Sequence, residues 1–183
     1  MYFAATPIGG AFLITAKPLA DERGSFTRLW CEREFSAHGM STAFVQANAS
    51  VSALAGTLRG LHYQAAPHGE VKLIRCVRGS VYDVIVDARP ASPSYLQWYG
   101  IELSVRNARS LYVPAGVAHG YLTLEDDSEV MYPVSAYYHP EAERGIRWND
   151  PLIAIAWPAT TALHVSPKDR AWPDFVREPA PRP

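Results

Sequence analysis

The residues best suited to chemistry fall in the run Leu58-Arg59-Gly60-Leu61-His62-Tyr63-Gln64, where an Arg and a His interrupt an apolar, strand-like stretch. Period two puts Leu58, Gly60, His62 and Gln64 on one face and Arg59, Leu61 and Tyr63 on the other. Lys72 and His119 follow in similar strand contexts. An imidazole, with an ordinary pKa of about 6.5, gives and takes protons near neutrality. A lone strand His is more often structural than catalytic, so the elements around it must decide.

Those elements read as short strands separated by turn chemistry. Ala11–Ala16, Ser25–Trp30, Phe44–Ser52, Leu58–Gln64, Val71–Arg78 and Val81–Ala88 are expected strands, as are Gln97–Leu103, Ser110–Val113, His119–Thr123 and Glu129–Tyr138. Pro18–Gly24 and Arg89–Ser94 read as loops, and Gly79-Ser80 as a hairpin turn. Short helices are expected among the strands, Glu32–His38 being one such piece, closed by Gly39. Little helix and many short strands indicate an all-β antiparallel sandwich or barrel. With 183 residues, one domain over 1–183 is expected rather than two. The tail from Ile146 reads as an irregular segment packed over the barrel, and Glu178–Pro183 as disordered.

Composition excludes some classes. A net charge of −1 gives no electrostatic footprint for nucleic acid or a membrane surface, so phosphate binding must come from local Arg and Lys. Cys31 and Cys76 have neither metal spacing nor a disulfide framework and fit reduced thiols in the cytoplasm. No signal peptide is expected from the opening residues, and no apolar run is long enough for a membrane helix.

Pro114-Ala-Gly-Val-Ala-His119-Gly bends the chain and delivers a His onto the next strand. This pattern resembles the second motif of the cupin superfamily, a jelly roll. Where the first motif carries His-x-His, this chain has His62-Tyr63-Gln64. A metal needs about three ligands at one point, so neither metal nor cofactor is expected. Leu58–Gln64, Lys72-Leu-Ile-Arg-Cys, Tyr82-Asp-Val-Ile-Val-Asp87, Val113–Gly120, Arg147-Trp-Asn-Asp-Pro and Ser166-Pro-Lys-Asp169 together resemble the dTDP-4-dehydrorhamnose 3,5-epimerase family of metal-free cupins.

The resemblance implies an isomerase that inverts C3, C5 or both of a nucleotide-linked 4-keto-6-deoxy sugar. Inversion beside a ketone needs a base, an acid on the opposite face and a group to stabilise the enolate. Carried over, His62 is the base, Asp169 its orienting carboxylate, Tyr132 the proton donor and Lys72 the cation near the C4 oxygen. Arg59, His119 and Lys168 match groups facing sugar and diphosphate. Arg23, Gln46, Asn48 and Glu143 match further substrate contacts, and Tyr138 an aromatic that stacks on the base. The Asp-x-Arg-Gly segment around Arg23 comes from a partner subunit in this family, which implies a homodimer with exchanged N-terminal segments.

The chain departs from the family at the base-reading end. Arg28 stands where the family has Glu, Leu19 where it has an aromatic, and Ala47 where many members carry Asp. Thymine offers an N3–H donor that suits a carboxylate, whereas Arg has donors only. A base with acceptors, such as cytosine, would suit Arg28 better, so thymidine and cytidine carriers both stay open. Two rival readings stand beside the epimerase. One is a metal-dependent cupin oxygenase or isomerase using His62, His119 and a carboxylate such as Glu70; the other is a non-catalytic module that binds nucleotide sugars.

Overall fold

The structure, a computed structural model, describes residues 1–178. Its strands are β1 (Tyr2–Ala5), β2 (Phe12–Thr15), β3 (Leu19–Asp21), β4 (Gly24–Phe26), β5 (Gln46–Ser52), β6 (Thr57–Gln64) and β7 (Lys72–Arg78). They continue with β8 (Ser80–Asp87), β9 (Trp98–Ser104), β10 (Arg109–Val113), β11 (Val117–Thr123), β12 (Ser128–Val134), β13 (Glu143–Gly145) and β14 (His164–Val165). Two short helices, α1 (Glu32–Ser36) and α2 (Pro167–Arg170), complete the chain with a 3-10 turn at Pro140–Ala142.

Two sheets pack face to face as a jelly roll. One has the order β1-β2-β10-β7-β12-β5 and the other β13-β6-β11-β8-β9, with β14 parallel to β6. Between them lies a core of Ile74, Cys76, Leu111, Val113 and Val130 from the first sheet and Val81, Ile85, Leu103, Val117 and Tyr121 from the second. The outer faces are also covered. Phe35 and Met40 pack on Ile14, Leu73 and Tyr112; Ile146, Ile153, Trp157 and Phe175 pack on Leu61, Val84, Val86 and Ala118. Covered on both faces, β11 is buried along its whole length. Each fully buried aliphatic side chain here contributes roughly 1.5–3 kcal/mol.

The C-terminal segment does pack over the barrel. The Trp157 indole donates to the Trp148 carbonyl at 2.8 Å. Past Glu178, the expected disorder of Glu178–Pro183 lies outside the described residues. No helix among the described residues is long and apolar enough to cross a membrane.

Three expectations need correction. The strand expected over Ser25–Trp30 ends at Phe26, and the expected loop contains β3. These two strands form an isolated exposed hairpin with no third strand among the described residues to extend the ladder. Trp30 instead approaches Phe35 and Phe44, at 6.5 and 6.3 Å between ring centroids. The strand from Glu129 ends at Val134 rather than Tyr138. The buried Gln64 amide takes over that segment: it donates to the Tyr137 carbonyl at 3.1 Å and accepts the His139 N–H at 2.6 Å.

The third correction concerns β6. Arg59 and His62 are not on opposite faces; both line the same hollow. The register with β11 shifts between His119↔His62 and Tyr121↔Arg59, so β6 carries one extra residue. That is a β-bulge, and it resets the alternation of sides. Gly60 makes it with a φ of 115°, and a Cβ there would meet Gly120 Cα at 2.5 Å.

Candidate active site

At one end the two sheets open into a polar hollow with two adjoining lobes of about 290 and 360 Å³. His62, Lys72 and Tyr132 line both lobes. One lobe adds Arg59, His119, Tyr121, Lys168 and Asp169; the other adds Gln46, Asn48, Glu70, Tyr138 and Glu143. Strands from both sheets therefore supply the hollow: β5, β7 and β12 from one, β6 and β11 from the other.

His62 Nε2 lies 2.6 Å from Asp169 Oδ1. Ser166 caps α2 by accepting the Asp169 N–H at 3.0 Å, which fixes the start of the turn carrying the carboxylate. Asp169 Oδ2 also accepts the Gly60 N–H at 3.3 Å. Burial pushes the Asp169 carboxyl up, but hydrogen bonding and charge from His62, with the Gly60 and Ser166 bonds, hold it below the usual value. An ionised Asp169 places the imidazole proton on Nε2 and leaves the Nδ1 lone pair free.

Lys72 Nζ sits 3.0 Å from Glu70 and donates to the His62 carbonyl at 3.2 Å. Burial holds the Tyr132 phenol protonated beyond its ordinary range; Tyr121 and Glu70 add to this and Arg59 opposes it. Arg59 donates through Nε to Ser52 Oγ and through Nη2 to the Val51 carbonyl, both at 3.2 Å. His119 Nε2 is 2.8 Å from Asp83 Oδ2. At the rim, Glu143 holds Lys168 Nζ at 2.6 and 2.7 Å and accepts the Tyr138 hydroxyl at 2.7 Å. Gln46 donates to Asn48 at 2.9 Å.

The hollow thus gathers His62, Tyr132, Asp169, Lys72, Arg59, His119, Lys168, Gln46, Asn48, Tyr138 and Glu143. It does not gather Arg23 or Arg28 from the same chain. Arg23 is exposed at the β3–β4 turn, ion-paired with Asp21 at 2.6 Å, and Arg28 pairs with Glu34 at 3.4 Å. The sequence reading did not pick out Asp83. Its signal was a carboxylate alternating with Val81 and Ile85 on a core-facing strand, where only a partnered charge is tolerated. Glu70, the carboxylate considered in the metal-dependent rival, is bound to Lys72, and among the described residues no three His, Cys, Asp or Glu side chains are grouped so as to hold a metal ion.

An imidazole–carboxylate pair, a protonated phenol and an ammonium around one hollow are the parts needed to move a proton on and off carbon. The chain is similar to proteins already named. Residues 5–177 match the family model described as dTDP-4-dehydrorhamnose 3,5-epimerase. A dTDP-4-dehydrorhamnose 3,5-epimerase from Sinorhizobium fredii is 42% identical over 179 residues, 98% of this chain and 92% of that one. The crystal structure of the Elizabethkingia anophelis enzyme of the same name superposes with a TM-score of 0.92 at 37% identity, covering 96% of both chains. The Bacillus anthracis enzyme, solved with TDP and PPi bound, gives 0.91 at 42% identity over 95% of this chain and 99% of that one. Fold and site together define a cupin jelly roll of the isomerase class, a carbohydrate epimerase. The chain belongs to the dTDP-4-dehydrorhamnose 3,5-epimerase family.

Proposed function

We propose that the whole chain acts as one catalytic domain that inverts C3, C5 or both of a nucleotide-linked 4-keto-6-deoxy sugar, in the cytoplasmic supply of deoxysugars. The observation that carries this reading is the 2.6 Å contact between His62 and Asp169 beside Tyr132 and Lys72. His62 Nδ1 takes a proton from the carbon next to the ketone. The electron pair moves onto the C4 oxygen, where the Lys72 ammonium stabilises the enolate. The Tyr132 phenol then protonates the carbon from the opposite face as the enolate collapses to the ketone; its phenolate recovers a proton from solvent, and the His62 imidazolium gives its proton up to solvent. Arg59, His119 and Lys168 hold the diphosphate and sugar, with Lys168 leaving Glu143 on binding. Gln46, Asn48, Tyr138 and Glu143 receive the nucleoside.

The carrier in this reading is thymidine diphosphate, in line with the TDP bound by the Bacillus anthracis relative. Cytidine diphosphate is the second reading, favoured by Arg28. The protein works as a homodimer in which the exchanged N-terminal segment, the β3–β4 hairpin and the residues just after it, brings Arg23 and Arg28 to the partner's hollow. Their exposure, away from their own hollow, together with the exposed Leu19 and Phe26, supports the exchange. Mixing inactive Arg23→Ala and His62→Ala proteins tests it: recovered activity is expected, and none would argue for self-sufficient chains.

Deuterium wash-in followed by NMR tests the chemistry. Exchange at C3, C5 or both of the thymidine-linked 4-keto-6-deoxyglucose is expected. Absence of exchange with both the thymidine and the cytidine form would overturn the reading.

A further inference from the structure

Resting on the reading of His62 as the base, we propose that Trp172 is a positioning residue for that imidazole. On the β13–β6 pair, Gly145 stands directly opposite His62. Residues opposite each other in a strand pair project to the same side. Gly145 has no side chain, and Trp172 fills the space: a Cβ built on Gly145 would collide with the indole. The row across the sheet is therefore an indole in the place of a missing side chain, then His62, then His119. The Trp172 and His62 rings lie 6.5 Å apart between centroids with planes at 59°, within the range of favourable aromatic contact.

The chain on either side pins the indole there. Three residues earlier, Asp169 holds His62 Nε2. Beyond it, Asp174 pairs with Arg147, the buried Asp150 accepts the Phe175 N–H at 2.6 Å, and the Tyr95 hydroxyl accepts the Glu178 N–H at 2.9 Å. One hydrogen bond to Asp169 fixes the distance of the imidazole but leaves its ring free to turn about that bond. Trp172 closes the side toward which it would turn and so aims Nδ1. It does not line either lobe, so it acts through His62 and not on substrate.

The indole N–H gives independent support. It is buried and has no hydrogen-bond partner among the described residues. An unmade buried hydrogen bond costs about 1–3 kcal/mol, so the ring is kept for its bulk rather than its polarity. Phenylalanine should therefore serve in its place.

Steady-state kinetics and deuterium wash-in on the full-length wild type, Trp172→Ala, Trp172→Phe, Gly145→Ala and the Gly145→Ala/Trp172→Ala double variant test this. Wild type that exchanges no deuterium fails the underlying reading, and the inference falls with it. Given wild-type exchange, Trp172→Ala should lower kcat roughly ten- to a hundredfold, as misaimed catalytic groups do. KM should stay within about twofold, because no substrate contact is lost. Trp172→Phe should stay within about threefold of wild type, with the ring still in place. Gly145→Ala, which pushes the indole out, should reproduce the loss, and the double variant should add nothing. A wild-type kcat in Trp172→Ala, a loss confined to KM, or Trp172→Phe as poor as Trp172→Ala would each overturn the proposal. Should Trp172→Ala fail to fold, a wild-type kcat in Gly145→Ala overturns it.

Discussion

His62 and His119 face each other across β6 and β11, and each is held by its own carboxylate, at 2.6 Å from Asp169 and 2.8 Å from Asp83. The two pairs are electrostatically opposite. Asp169 lies below the ordinary carboxylate value, whereas burial raises Asp83, against the pull of His119 and Lys72. Asp83 is wholly buried, and its Oδ1 has no partner among the described residues. Asp169→Asn removes the ionised partner of the base and should slow deuterium exchange about 10²–10⁴-fold. Asp83→Asn acts on a binding group and should change kcat less than about tenfold, with its larger effect on KM. The order is checked by wash-in rates; a reversed order would make His119 the base.

His62→Ala should abolish exchange at both carbons. Tyr132→Phe should lower net inversion by about 10²–10⁴-fold while some exchange continues, because deprotonation does not need the phenol. Product analysis beside wash-in separates the two. Equal and complete loss of exchange in both variants would contradict the division of roles.

Tyr132 must be protonated to donate, and burial raises its pKa above the ordinary 10.0. The alkaline fall of kcat attributable to it should therefore have its midpoint above pH 10.0. It should vanish in Tyr132→Phe. A Tyr132-dependent fall well below that pH would show the phenol in an environment unlike the one described.

Acid stability should depend on Asp87. Burial raises its carboxyl, but Arg89, Ser92 and Ser94 together bring it below 3.8. The unfolded chain then takes up the proton at higher pH than the folded one. The stabilisation is thus complete above 3.8 and is lost as pH falls through the lowered folded value. Asp169 acts in the same sense and Asp83 in the opposite one. Asp87→Asn should cost about 3 kcal/mol at neutral pH and flatten the acid fall of Tm, as measured by thermal unfolding.

Arg28→Glu tests the nucleotide. If Arg28 reads the base, the substitution should shift relative binding toward dTDP and away from CDP by roughly tenfold, the worth of about one charge-assisted hydrogen bond. A dTDP preference already present in the wild type and unchanged by the substitution would remove Arg28 from base reading. Titration calorimetry with the two diphosphates gives the answer.

Most of the barrel was legible because strands β5 to β12 alternate or run apolar between glycines and prolines. The side of Arg59 was not, because a bulge is a property of two paired strands and the β6 segment alone carries no sign of its register with β11. The early end of β4 was missed for a similar reason: whether a strand continues depends on whether a neighbour is there to pair. The hollow was readable as separate motifs, each carrying one side chain. Asp83 and Trp172 escaped because their meaning lies in contacts with His119 and with Gly145, 36 and 27 positions away in sequence.

The extra residue at Gly60 makes β6 a ruler. Without it, the guanidinium of Arg59 and the imidazole of His62 would look to opposite sides of the sheet. With it, one piece of backbone sets the span between them. In the proposed reading that span is the distance from the substrate's anionic linkage to its reacting carbons. A sugar bearing a shorter or longer tether would be gripped at one end and out of step at the other. Selection for the diphosphate linkage is then a matter of length, independent of which base the nucleotide carries.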